Sequence, residues 1–162
     1  GQVSAQQPGQ LLNTFVEIYA QELCVNTQVY LGVLPFLDYC QSNDIAMACV
    51  TNKPEHLAKG ILDILELSPY FKMVIGGDSL SERKPHPLPL LHCMQIHNAS
   101  ASETLMIGDS SNDVEAARRA GIDCIVVSYG YNHGENVHDC QPQQVVDSLV
   151  ELLEIDPIRR KA

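Results

Sequence analysis

Four short apolar runs, each followed by a polar turn and then a segment with helical periodicity, leave this chain few architectures to choose from. Ile45-Ala46-Met47-Ala48-Cys49-Val50, Met73 to Ile75, Thr104 to Ile107 and Cys124 to Val127 have the length and composition of buried strands. Between them, apolar residues recur at helical spacing: Leu57, Ile61 and Leu65 after Pro54, Leu88, Leu91 and Met94 after Pro87, and Asp113 to Ala120 closed by Gly121. Val33 to Cys40 is a further helical run, and Val145, Leu149, Leu152 and Leu153 mark a last helix after Pro142. The connections are too long for hairpins, so the strands should run parallel with helices on both faces. The expected class is α/β, in three layers.

The 162 residues, 45% of them hydrophobic, suffice for one good core. Leu11, Leu12, Phe15, Val16, Tyr19 and Leu23 repeat at helical spacing after Pro8-Gly9-Gln10, which predicts an amphipathic helix ahead of that core. The only plausible boundary lies near Asn26 to Tyr30, giving segments 1–28 and 29–162. A net charge of −10 argues against nucleic acid or an anionic membrane as a partner. No apolar stretch approaches the ~20 residues that span a bilayer, and no basic-then-apolar leader opens the chain. The six cysteines include no C-x-x-C pair and read as reduced thiols of a cytoplasmic protein. Nothing in the sequence fixes an oligomeric state.

In an open parallel sheet, ligands bind outside the carboxyl ends of the strands. Thr51, Asp78, Asp109 and Ser128 each follow an apolar run. Taken singly, each has a plain structural role. Thr51 or Asn52 can cap the helix that starts at Pro54, Ser110-Ser111-Asn112-Asp113 can be a turn with its capping box, and Lys84 can be a solvated lysine. Asp78 can hold the Lys84 loop or be an ordinary turn aspartate. Tyr129-Gly130-Tyr131-Asn132-His133-Gly134 can line a substrate entrance or be a glycine turn packed by tyrosines. His92, Cys93 and His97 make a poor metal set, because their spacing turns His97 off the face of His92.

In chain order, strand-Thr-Asn, Lys-Pro and strand-Gly-Asp-x-x-x-Asp resemble the haloacid dehalogenase-like hydrolases. The resemblance runs from Val33 to Leu153 and is carried by Val50-Thr51-Asn52-Lys53-Pro54, Ile75-Gly76-Gly77-Asp78-Ser79-Leu80, Lys84-Pro85-His86-Pro87, Gly108-Asp109-Ser110-Ser111-Asn112-Asp113 and Tyr129-Gly130-Tyr131-Asn132. Within that superfamily these motifs are most similar to the bacterial phosphoglycolate phosphatases. The resemblance implies a Rossmann-like core with a mobile helical cap, residues 1–28 being a remnant of the cap. It also implies a magnesium-dependent phosphatase of small phosphorylated metabolites, most of all 2-phosphoglycolate, working through an aspartyl-phosphate. Carried over residue by residue, Asp109 is implied as a Mg²⁺ ligand and Asp113 as the group that holds a metal-bound water or supports the metal from behind. Thr51, with the backbone amide of Asn52, would bind the phosphoryl group, and Lys84 would let two anions approach each other.

One part of the pattern is missing. The family's nucleophile and general acid/base lie in an Asp-x-Asp-Gly-Thr motif on an earlier strand, and no Asp-x-Asp occurs between Gly1 and Ala162. That strand is central in the family's sheet, between Ile45–Val50 and Thr104–Ile107. Either those two strands close up, or another segment or chain fills the place. The expectation is an incomplete core, inactive alone, whose nucleophile lies outside these residues. The alternative is a non-catalytic domain of the same fold that binds metal, phosphate or a partner protein. Dehalogenation fits less well, because a metal-binding carboxylate has no use in displacing halide. A receiver-type signalling domain would need a phosphate-accepting aspartate on an internal strand, and none is evident.

Overall fold

The computed structural model describes residues 28–154 apart from His133 and Glu135, so the helix expected over Leu11 to Leu23 and the proposed cap remnant lie outside the described residues. Helix α1 (Val33–Ser42) leads to β1 (Ala48–Val50), α2 (Glu55–Ile64), β2 (Met73–Ile75), α3 (Leu88–His97), β3 (Leu105–Gly108), α4 (Ser111–Ala120), β4 (Asp123–Val127) and β5 (Gln144–Val146). All the strand pairs are parallel. Along β4 the side chains alternate as a two-residue period demands. Cys124 and Val126 pack with Leu90, Val114, Ala116 and Ala117, while Ile125 and Val127 pack with Phe36, Leu37, Leu62 and Leu152. The α/β three-layer expectation holds. No described helix is long and apolar enough to cross a membrane.

Two segments depart from the sequence reading. The apolar run from Ile45 joins the ladder only at Ala48. Asp44 takes left-handed backbone (φ 55°), and the Ile45 N–H turns back to the Cys40 carbonyl at 2.9 Å, so the start of the run closes α1. The second departure is at Val145, which lies in a fifth strand rather than a helix; only Leu149–Leu153 turns, as a 3₁₀ segment. Gln143 sets that strand's register, because its N–H donates to the Cys124 carbonyl at 3.0 Å and its Oε1 accepts the Cys124 N–H at 2.8 Å. Val145 and Val146 are β-branched and suit the added strand. Buried Leu149 and Leu152 follow at helical spacing and imitate one long helix.

The sheet is in two pieces, β1-β2 and β3-β4-β5. Among the described residues β1 pairs only with β2, and β3 pairs with β4 on one side alone. The strands that should flank the missing one have not closed up. Their burial records it: Cys124 to Val127 of β4 are buried throughout, whereas all three residues of β1, and Leu105, Ile107 and Gly108 of β3, keep intermediate exposure.

Candidate active site

β1 ends at Val50, and the next residue still belongs to the ladder, its N–H donating to the Ile75 carbonyl at 2.9 Å. This fixes Thr51 at the strand's carboxyl end. Its hydroxyl oxygen accepts the Lys53 N–H at 3.1 Å, and among the described residues the hydroxyl proton goes to no acceptor. Asn52 donates from Nδ2 to the Lys84 carbonyl at 2.7 Å, while its Oδ1 is buried with no donor among the described residues. The Asn52 backbone N–H, just ahead of α2, has no partner among the described residues. Two donors therefore stand ready for an anion at this corner. Asp78 serves elsewhere: its Oδ1 accepts the Glu55 N–H at 2.7 Å and caps α2 from the loop after β2.

Lys84 is 9% exposed and crosses the gap in the sheet. Its Nζ donates to the Val50 carbonyl of β1 and to Asp113 Oδ1 in α4, both at 2.6 Å. Two of the ammonium's three N–H donors are used in this way. Asp113, 2% exposed, is saturated from its other oxygen, since Oδ2 accepts the Asp109 N–H (3.1 Å), the Ser110 N–H (3.1 Å) and the Ser110 hydroxyl (2.8 Å). The capping-box role and the ion-pair role belong to the same carboxylate. Burial opposes ionisation of Asp113, but the Lys84 charge and these hydrogen bonds outweigh it and hold the carboxyl below its ordinary value. Gly108 is required here, because a Cβ on it would stand 2.3 Å from Asp113 Cβ.

Asp109 behaves differently. Its Oδ2 accepts the Tyr131 N–H at 3.0 Å, and among the described residues Oδ1 accepts nothing. Burial pushes its carboxyl up, beyond what the Tyr131 amide recovers; the neighbouring Asp113 charge adds to the rise, and Lys84 opposes it. An anion held against its own preference makes Asp109 a functional candidate with a physical cause. Asp109→Asn is expected to raise the thermal midpoint of the metal-free chain at pH 7. A group whose folded pKa is raised destabilises when ionised, so the gain should shrink as pH falls through the raised folded value and be gone below the ordinary carboxylate range. Thermal melts of both proteins across pH 3–8 check it; a gain independent of pH would assign it to something other than charge.

The five expected residues, Thr51, Asn52, Lys84, Asp109 and Asp113, thus meet at one rim, across the ends of β1 and β3. His92, Cys93 and His97 do not form a cluster: among the described residues no group of three His, Cys, Asp or Glu side chains is placed to hold a metal. Asp109 and Asp113 are a pair of hard oxygen donors with one uncommitted atom, Asp109 Oδ1. That suits magnesium, which takes one or two carboxylates and completes its octahedron with water and phosphate oxygen. An open cleft of about 520 Å³, lined by Ser128, Gly130, Tyr131, Asn132 and His138, adjoins the rim through the Tyr131 contact. What the sequence did not disclose is the part played by main chain, the Val50 carbonyl and the Tyr131 amide, for which residue type gives no signal.

Comparison with known proteins identifies the family. The family model described as haloacid dehalogenase-like hydrolase matches residues 2–127. The phosphoglycolate phosphatase of Nitrosococcus oceani is 42% identical over 138 residues, covering 85% of this chain and 61% of that protein. Phosphoglycolate phosphatase 1 of Pseudomonas aeruginosa is 42% identical over 142 residues, covering 88% of this chain and 52% of that one. The chain therefore spans little more than half the length of these relatives. A crystal structure from Haemophilus somnus 129pt, described as a predicted phosphoglycolate phosphatase, superposes with a TM-score of 0.86 at 28% identity, over 92% of this chain and 68% of that one. With a family model over most of its length and relatives above 40% identity, this chain belongs to the haloacid dehalogenase-like hydrolases.

Proposed function

We propose that this chain supplies the phosphate- and metal-binding half of a magnesium-dependent phosphatase acting on small phosphorylated metabolites, with 2-phosphoglycolate as the substrate. The observation that carries the reading is the meeting of Thr51, Asn52, Lys84 and Asp109 at one strand-end rim, each with donor or acceptor capacity to spare. In this reading the Thr51 hydroxyl and the Asn52 amide donate to phosphoryl oxygens. Lys84 offsets the charge of two approaching anions, and Asp113 keeps that ammonium in place. Asp109 Oδ1 would hold Mg²⁺, which supplies charge neutralisation at the phosphoryl group. The names of the relatives support phosphoglycolate over other small phosphates.

The attacking carboxylate is not among these residues, since the sequence holds no Asp-x-Asp. That observation favours a second reading, a domain that binds metal, phosphate or a partner protein without turnover. A phosphatase screen over small phosphorylated acids and sugars separates the two. It would use a form of the chain extended by an Asp-x-Asp-Gly-Thr strand, in magnesium and in EDTA. Magnesium-dependent release of phosphate, fastest from 2-phosphoglycolate, is the expected result. Preference for a phosphosugar would change the substrate and keep the reaction class; binding of Mg²⁺ and inorganic phosphate with no release would establish the second reading.

A further inference from the structure

Four polar side chains are buried among the described residues: Lys84, Ser110, Asp113 and Asn132. The first three belong to the rim. Asn132, 5% exposed, has no part in anything proposed so far. Its Oδ1 accepts the Ser111 N–H at 2.9 Å, one of the donors at the start of α4 that the helix itself cannot satisfy. Two residues earlier, Gly130 lies so close to Asp109 that a Cβ on it would stand 2.0 Å from Asp109 Cβ and 2.7 Å from Oδ2. Tyr131, between them, gives its N–H to that same Oδ2. The segment after β4 thus grips the Gly108–Asp113 turn at two points, the Asp109 carboxylate and the first amide of α4.

A turn that merely needed to be compact would require neither contact with the carboxylate. An aspartate rotates about two side-chain bonds, and a ligand must present one oxygen in one direction. Here the amide takes Oδ2 and the glycine brings that amide near enough. We propose that Gly130, Tyr131 and Asn132 form a positioning element that fixes the Asp109 carboxylate and leaves Oδ1 as its cation-binding atom. The cation half of this statement rests on the metal reading of Asp109 given above.

The test uses the full 162-residue chain and two measurements. In metal-free protein, amide hydrogen exchange should show the Tyr131 N–H protected, and protection should be lost in Asp109→Ala and Gly130→Ala. With Mn²⁺ as the probe, Gly130→Ala and Asn132→Ala should each bind about 10- to 100-fold more weakly than the wild type. Gly134→Ala is the control, because it strains the same loop (φ +85°) but its added methyl would meet nothing within 4 Å; its affinity should stay unchanged. Solvent-rate exchange at Tyr131 in the wild type overturns the proposal at once, whatever binds. Equal Mn²⁺ affinity in Gly130→Ala, Asn132→Ala and wild type overturns the positioning role alone. A wild type that binds no Mn²⁺ while Tyr131 stays protected overturns the metal reading and the cation half with it.

Discussion

Lys84→Met is expected to destabilise the chain by about 3–5 kcal/mol, the usual consequence of removing one partner of a buried ion pair. Asp113 keeps 2% exposure and would lose the charge that holds its carboxyl ionised. Methionine fills much of the lysine's volume, so the loss reports charge and hydrogen bonds rather than a cavity. It also removes the link from the Val50 carbonyl to α4, a polar tie across the divided sheet. Urea unfolding at pH 7 measures it. Lys84→Met with Asp113→Asn should be less damaged than Lys84→Met alone, since the stranded charge is gone. The pH dependence has a definite sign. The folded pKa of Asp113 is depressed, so its contribution is present above the ordinary carboxylate range and disappears as pH falls through the still lower folded value. Wild-type stability should therefore drop in acid, and Lys84→Met should drop less. A Lys84→Met protein within about 1 kcal/mol of wild type at every pH would show that the pair carries no net stability.

The second large effect concerns turnover. The purified chain is expected to release no phosphate from 2-phosphoglycolate in magnesium, because orienting and charge-stabilising groups cannot replace an attacking carboxylate. Adding the missing piece, a short apolar strand ending in Asp-x-Asp-Gly-Thr, should produce activity and stability together. The stability gain comes from the ladder, since each main-chain hydrogen bond formed along β1 and β3 contributes about 0.5–1.5 kcal/mol. Asn52 Oδ1, buried with no donor among the described residues, lies at the same end of the gap. Phosphate release assays and thermal melts, with the strand fused or given as a peptide, report both. Activity in the homogeneous unextended chain would sink the idea that the nucleophile lies outside these residues; a strand that binds without raising the melting temperature would show that the gap is not its place.

Much of this was legible in the residues and some was not, for physical reasons. Met73 to Ile75 is a strand with the bounds its residues predict, because a short apolar run bounded by Lys72 and a Gly-Gly pair has few other options. Thr51, Lys84 and Asp109 were legible as a set only through their order, since each alone suits a cap or a solvated surface. Val145 misled because its apolar neighbours suit two periods at once, and pairing with β4, a tertiary choice, decided between them. The division of labour between the carboxylates was implied by the family resemblance alone, since both are Asp; what no residue pattern gave is that Lys84 and the Asp109–Ser110 donors saturate Asp113, which leaves Asp109 with an oxygen to spare among the described residues.

The divided sheet reaches beyond catalysis into how the polypeptide behaves in quantity. Ordinary edge strands are guarded by lysines, prolines or bulges at the periphery, whereas among the described residues β1 and β3 each pair on one side only and leave their facing ladders open inside the fold, where such guards have no place. In a concentrated sample each molecule offers extended segments to its neighbours, and an intruder entering the opening finds hydrogen-bonding partners on either hand. Self-association that rises with concentration is the expected result, read by light scattering, and a strand that seals the opening should suppress it.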